Sequence, residues 1–316
     1  MRQELQGTGD HAKLSVLRFE ECKTPGGQTT MTEHLLEMAK AQVKIANGKI
    51  EVMTDPQIKC CPLRRDLYGI TEESRETVEN VLKSHVDDLG MYSPKRVLEL
   101  KDRPVSFGAS EILADAITEG LLDAAIVVCE GAGTVIVAKP EVLQAIGAHM
   151  TGLLRTEPIK EVQEGLEGKG CILLDGLCTI DQVRGFEMAA EAGFDKIAVT
   201  IAGKNAFVAK SLRKIGEIVG KEPVILAVHT TGISEAEAEE LADSCDIVWS
   251  CASKAVREIV GTKARLQIGI SIPVFAMTKE GKRLVLNRAL NFDDGLVINR
   301  ASLPLVPEGK QPQPLL

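Results

Sequence analysis

The chain has no excess of positive charge: 37 Lys and Arg stand against 45 Asp and Glu, a formal net charge of −8. Its basic residues are scattered, and Arg64-Arg65 and Lys101–Arg103 are too short to form a patch. A nucleic-acid partner is therefore not expected. No apolar run approaches the roughly 20 residues of a membrane span. The polar first residues also lack the apolar stretch of a secretory leader. A cytoplasmic protein without membrane association is the expectation. The eight Cys show no CxxC-type spacing, and in that compartment they are not a disulfide framework. Each is a small buried hydrophobe, a metal or cluster ligand, or a nucleophile. There is no short-period repeat.

What is present is a soluble globular composition, 44% hydrophobic and 26% charged over 316 residues. That is enough for one large domain with an appendage or for two modest ones. Six short apolar runs each contain or lead into a chemically capable residue. Ala124–Cys129 runs into Glu130-Gly131, Cys171–Leu174 ends at Asp175, and Lys196–Ile201 holds Thr200. Pro223–Val228 leads to His229-Thr230-Thr231, Asp246–Ser250 to Cys251, and Pro273–Met277 to Thr278. Runs of this length, separated mostly by helical patterns, read as a mostly parallel sheet. In such a sheet ligands bind beyond the carboxyl ends of the strands.

The expected class is α/β, a doubly wound, mostly parallel sheet core with a small N-terminal α+β unit. Residues 1–30 read as a disordered tail or a mis-assigned start, with translation beginning at Met31. Residues 31–104 form the small unit. In it the periodicity predicts a helix in 32–41 capped by Thr32, a hairpin at Asn47-Gly48, a loop at Cys60-Cys61-Pro62, and a helix from a Thr71 cap to Gly90. The core spans 105–300, with a charged linker or lid at 152–170. Residues 301–316 are a Pro-rich tail, disordered or packed.

Cys61, Cys129 and Cys251 are the strongest constellation. Three thiolates from separate loops suit an iron–sulfur cluster or a metal, with Cys60, Cys171 or Cys178 as a further ligand. Cys251 precedes a helix start, whose positive end favours thiolate. A second reading makes Cys129 and Cys251 paired acid/base thiols, as in cofactor-independent racemases, with His229 orienting a small anionic substrate. A third is a non-catalytic assembly module. Ligand-binding candidates are Gly131, Gly133 and Thr134 in a Gly-rich turn, Thr230 and Thr231 beside His229, Ser253 and Lys254 beyond Cys251, and Asp175. The turn lacks the GxGxxG spacing and the Lys of a P-loop, so a plain tight turn stands beside phosphate binding.

Several of these stretches resemble the methanogenesis marker protein 8 family: CPL at 61–63, VSFGASEI at 105–112, DAAIVVCEGAGTVI at 123–136, DQVRG at 181–185, KIAVTIA at 196–202, AVHTTGIS at 227–234, CASKAVRE at 251–258 and IPVFAMT at 272–278. The resemblance extends from about residue 34 to 290. It implies an anaerobic setting linked to methanogenesis or one-carbon metabolism, where oxygen-sensitive clusters are practical. It supplies no reaction. A protein partner in enzyme or cofactor maturation is expected with it, and a homo-oligomeric state is expected apart from it.

Overall fold

Alternation decides the first element of the computed structural model, which describes residues 32–149 and 152–316. In Glu33–Met38 (β1) the buried positions are His34, Leu36 and Met38, a period of two. A strand therefore stands where a helix was expected, because the apolar residues fall on one face only at that period. Ala41–Ala46 (β2) and Lys49–Val52 (β3) follow, and Asn47 and Gly48 both have positive φ, as the two-residue hairpin demands. The readings for residues 1–30 and for a start at Met31 lie outside the described residues.

Pro62–Tyr68 (α1) and Arg75–Leu89 (α2) come next. Ser74, and not Thr71, caps α2 through a reciprocal pair of bonds with Thr77, and Gly90 ends it in the left-handed conformation. The face of α2 bearing Val78, Val81 and Leu82 packs on Leu36, Val43 and Ile45.

Ala109–Thr118 (α3) leads into Ala124–Cys129 (β4), which turns directly into Gly133–Val137 (β5). Pro140–Gly147 (α4) follows. The expected linker at 152–170 is ordered chain: Gly152–Arg155 (β6) pairs antiparallel with β1, and Lys160–Gly168 (α5) packs Val162 and Leu166 into the core. The small sheet thus has the order β3-β2-β1-β6, its last strand supplied from far along the chain.

Ile172–Leu173 (β7), Gln182–Glu191 (α6), Ile197–Ala202 (β8), Ala206–Val219 (α7), Val224–Val228 (β9), Glu235–Ser244 (α8) and Ile247–Trp249 (β10) continue the alternation. A π-helical segment, Val256–Val260, runs into Gly261–Lys263 (α9); then come Leu266–Ile268 (β11), Val274–Ala276 (β12) and Lys279–Leu290 (α10). The large sheet has the order β11-β12-β10-β9-β8-β4-β5-β7. Its four central strands, β4, β8, β9 and β10, are parallel, and the flanking strands are antiparallel. The protein is a mixed α/β structure with helices on both faces. Leu113, Leu143 and Leu284, from α3, α4 and α10, cover one face, and Phe186, Leu212 and Leu241, from α6, α7 and α8, cover the other. The parallel strands step in one direction without reversal. Among the described residues no helix is long and apolar enough to cross a membrane.

The tail at 301–316 packs. Gln311 and Pro312 are buried, and Gln313 exchanges backbone bonds with Cys60.

Candidate functional site

The ends of β9 and β10 carry the unusual backbone. His229 has φ 51° and Cys251 φ 43°, both in the left-handed region that residues with a Cβ avoid. Such conformations cost about 1–3 kcal/mol each and persist only where the surroundings enforce them. Here they follow two adjacent parallel strands at their carboxyl ends.

The enforcing contacts are specific. Thr230 Oγ1 donates to the Trp249 carbonyl at 2.6 Å, and the Ala252 amide donates to Thr231 Oγ1 at 3.2 Å. The two loops are thereby laced together. The Ser253 amide donates to the Ser250 carbonyl, and Ser253 Oγ accepts from the Val256 amide at the helix start. Arg257 completes the arrangement from the π-helical segment. Its guanidinium donates to the carbonyls of Ser250, Cys251, Ser253 and Ser271 and to Gln311 Oε1. Arg257 is 3% exposed and all these acceptors are neutral oxygens. Burial pulls its pKa down to about 10, opposed by the charge of Cys251. A π-helical turn at this place is the sort of irregularity that re-aims a side chain beside a site.

Cys61 approaches from the small sheet's side of the fold. It precedes α1, which Arg64 ties to the residue before the α2 cap through an ion pair with buried Glu73. Burial raises the Cys61 thiol above its ordinary pKa. The amides of Arg64 and Leu63 and the Arg64 charge temper the rise, and the charge of Cys251 adds to it. Cys61 and Cys251 are thus electrostatic neighbours, and both are half-buried. A cavity of about 360 Å³ is lined by Cys60 and Pro62, the neighbours of Cys61, and by Arg65, Ser271, Lys310 and Gln311, though by neither Cys61 nor Cys251.

His229 faces the small sheet. A Cβ at Gly152 would lie 3.9 Å from its Cγ, and Glu37 acts on it electrostatically. Burial holds the imidazole below its usual pKa, with Glu37 opposing, so it is neutral near pH 7. Lys40, in the β1–β2 turn, pairs with Glu37 at 3.0 Å.

Cys129 is not part of this group. It is fully buried, and its Sγ donates to the Glu130 carbonyl at 3.4 Å. Burial and the Glu130 charge raise its pKa well above the ordinary value, with Arg96 opposing. Glu130 is itself sealed in an ion pair with Arg96 at 2.5 Å, and Arg96 also donates to the Ala145 carbonyl. Cys129 is thus enclosed by Glu130 and Arg96, whereas Cys61 and Cys251 are half-buried. Among the described residues no group of three or more His, Cys, Asp or Glu side chains is arranged to hold a metal ion.

The Gly-rich turn is closed by protein. The Gly131 amide donates to Thr156 Oγ1 at 2.7 Å, and a Cβ there would strike Ile159. At Gly133, with φ 74°, a Cβ would strike the Cys178 backbone, and buried Thr134 Oγ1 accepts from the Asp181 amide. These residues fit the β4–β5 hairpin against its neighbours. Asp175 Oδ1 accepts from the amides of Leu177 and Thr179, an Asx turn. Lys254 points to solvent and pairs with Glu258 one turn on.

Arg257, Gln311, Glu37 and Lys40 were not foreseen. An Arg between Val256 and Val260 is the one visible signal for Arg257. The others meet the site only through tertiary contacts.

Residues 34–290 match the sequence profile of a family described as an uncharacterized protein conserved in archaea, DUF2099. An uncharacterized protein of Methanocaldococcus jannaschii is 36% identical over 289 residues, spanning 90% of this chain and 100% of the relative.

Proposed function

Because the chain belongs to this DUF2099 family of archaeal proteins, and a similar protein occurs in a methanogen, we propose that it holds an iron–sulfur cluster or a soft metal ion between Cys61 and Cys251. Its role on this reading is in maturation of a cofactor or enzyme of anaerobic one-carbon metabolism, as the resemblance to methanogenesis marker protein 8 suggests. What supports the proposal is that one stretch of backbone, residues 313–316, is hydrogen-bonded both to Cys60, beside Cys61, and to Ala252, beside Cys251, which follows a parallel strand of the large sheet. Thiolates are the ligands that clusters and soft metals take. Two of them are too few to complete a site. The remaining ligands would come from a second copy of the chain, and an incompletely enclosed group can be handed on. Cys129 has no part in this reading. Anaerobic purification followed by iron, acid-labile sulfide and metal analysis tests it. Stoichiometric loading that is lost in Cys61→Ser or Cys251→Ser supports the proposal. A folded protein that takes up none refutes it.

A second reading is favoured by Arg65 and Lys310 in the neighbouring cavity. Cys61 and Cys251, instead of Cys129 and Cys251, would remove and return a proton on a small carboxylate held by these cations. Solvent deuterium entering the α-position of such an acid, with metal-free protein, would mark it.

A further inference from the structure

Both thiol-bearing segments are bridged by one stretch of chain. The amides of Lys59 and Cys60 donate to the Gln313 carbonyl at 2.7 and 3.0 Å, and the Gln313 amide returns a bond to the Cys60 carbonyl at 2.9 Å. Three residues on, the Leu316 amide donates to the Ala252 carbonyl at 2.9 Å, and the Lys254 amide donates to the Leu316 carbonyl at 2.7 Å. The segment therefore grips the residue just before Cys61 and the residue just after Cys251. A Cβ at Gly232, in the loop of His229, would lie 3.6 Å from the Leu316 Cβ.

We propose that residues 313–316 are a displaceable strap that governs access to the Cys61–Cys251 pair. The inference deepens the thiol-site reading and rests on it. The anchor is Gln311, which is buried, accepts from Arg257 Nε at 2.8 Å and donates to the Ile270 carbonyl at 2.8 Å. Beyond this anchor the hold is slight. Gln313 and Pro314 are exposed, and Leu315 and Leu316 are only half-buried. Pro312 and Pro314 have no amide to donate. Five backbone bonds near the surface, each of small net worth, stand against the entropy of fixing four residues. A segment held this way opens far more often than the sheet behind it. With the strap seated, a bulky ligand or a partner's ligand residue meets backbone at the rim. With it released, the same rim presents free amides at 59, 60 and 254 beside both thiols.

Two measurements on metal-free protein test this, so the outcome does not depend on cluster binding. The first is hydrogen–deuterium exchange on the intact chain. Amides of Cys60, Gln313, Lys254 and Leu316 should exchange at least a hundredfold faster than those of β8 and β9; exchange as slow as in those strands overturns the proposal. The second is the rate of iodoacetamide modification of each cysteine in the chain shortened to end at Gln311. Cys61 and Cys251 should react at least tenfold faster than in the intact chain while Cys129 stays protected, and a synthetic peptide of residues 312–316 should slow them again. Unchanged rates at Cys61 and Cys251 overturn the strap. Should Cys129 become reactive as well, the shortened chain has lost its fold and the exchange measurement alone decides.

Discussion

His229 and Cys251 hold backbone conformations that only neighbouring contacts sustain, and that dependence is measurable. At an ordinary helix or strand position Gly is less stable than Ala by about 0.5–1 kcal/mol. At Cys251, with φ 43°, the order should reverse. Cys251→Gly is expected to exceed Cys251→Ala by about 1 kcal/mol in chemical denaturation, because only Ala keeps the Cβ that the left-handed region disfavours. An equal or opposite order would mean the strain is absent. Arg257 is the residue that sustains Cys251, through five neutral acceptors. Arg257→Met removes a costly buried charge but leaves those buried oxygens without donors. The second effect should dominate, with a loss of about 3 kcal/mol or more, read as a shift of the denaturation midpoint.

Buried His85 and half-buried His149 link α2 to the end of α4. His85 accepts or donates with Tyr68 Oη at 3.0 Å, and its ring lies 5.3 Å from that of His149. Burial, then His149, Arg64 and Arg96, bring the His85 pKa from 6.5 down to about 3. The group is neutral when folded and takes a proton more readily when unfolded. Its contribution to stability is therefore complete above pH 6.5 and is lost as pH falls toward 3, by up to about 1.4 kcal/mol per pH unit. His34, His149 and His229 are shifted in the same direction. Urea midpoints measured from pH 7 to pH 4.5 should fall steadily, and His85→Gln should flatten the slope; an unchanged slope would show that His85 does not titrate in this way.

The same elements show what the sequence could disclose. The β2–β3 hairpin was legible because Asn-Gly has one low-energy use between strands. The limits of β4, α7 and α10 were legible because apolar period and flanking residues agree there, with Thr278 capping α10. β1 was misread because EHLLEMAKA satisfies a helical period as well as a strand's, and only pairing with β2 and β6 decides. β6 was hidden because its partner lies about 120 residues away. Cys61, Cys129 and Cys251 all read as candidates from their loops, and the full burial of Cys129 was not legible there. A residue ending a strand can face either the edge or the core, and here Glu130 and Arg96 enclose it.

Across the whole molecule, the proposed site draws on both sheets. The large sheet presents His229 and Cys251, the small unit brings Cys61, and residues beyond 310 close the rim. Net charge of −8 and scattered basic residues are consistent with a site whose charge is local, supplied by Arg257, Arg65 and Lys310, and not with a broad basic surface. The decisive measurement is metal and sulfide content, after anaerobic reconstitution with iron and sulfide, in the intact chain and in three single variants. Loading is expected in the intact chain and in Cys129→Ser, with loss in both Cys61→Ser and Cys251→Ser. Loss in Cys129→Ser with retention in Cys61→Ser, or no loading in a folded intact chain, would contradict a metal or cluster site built on the Cys61–Cys251 pair.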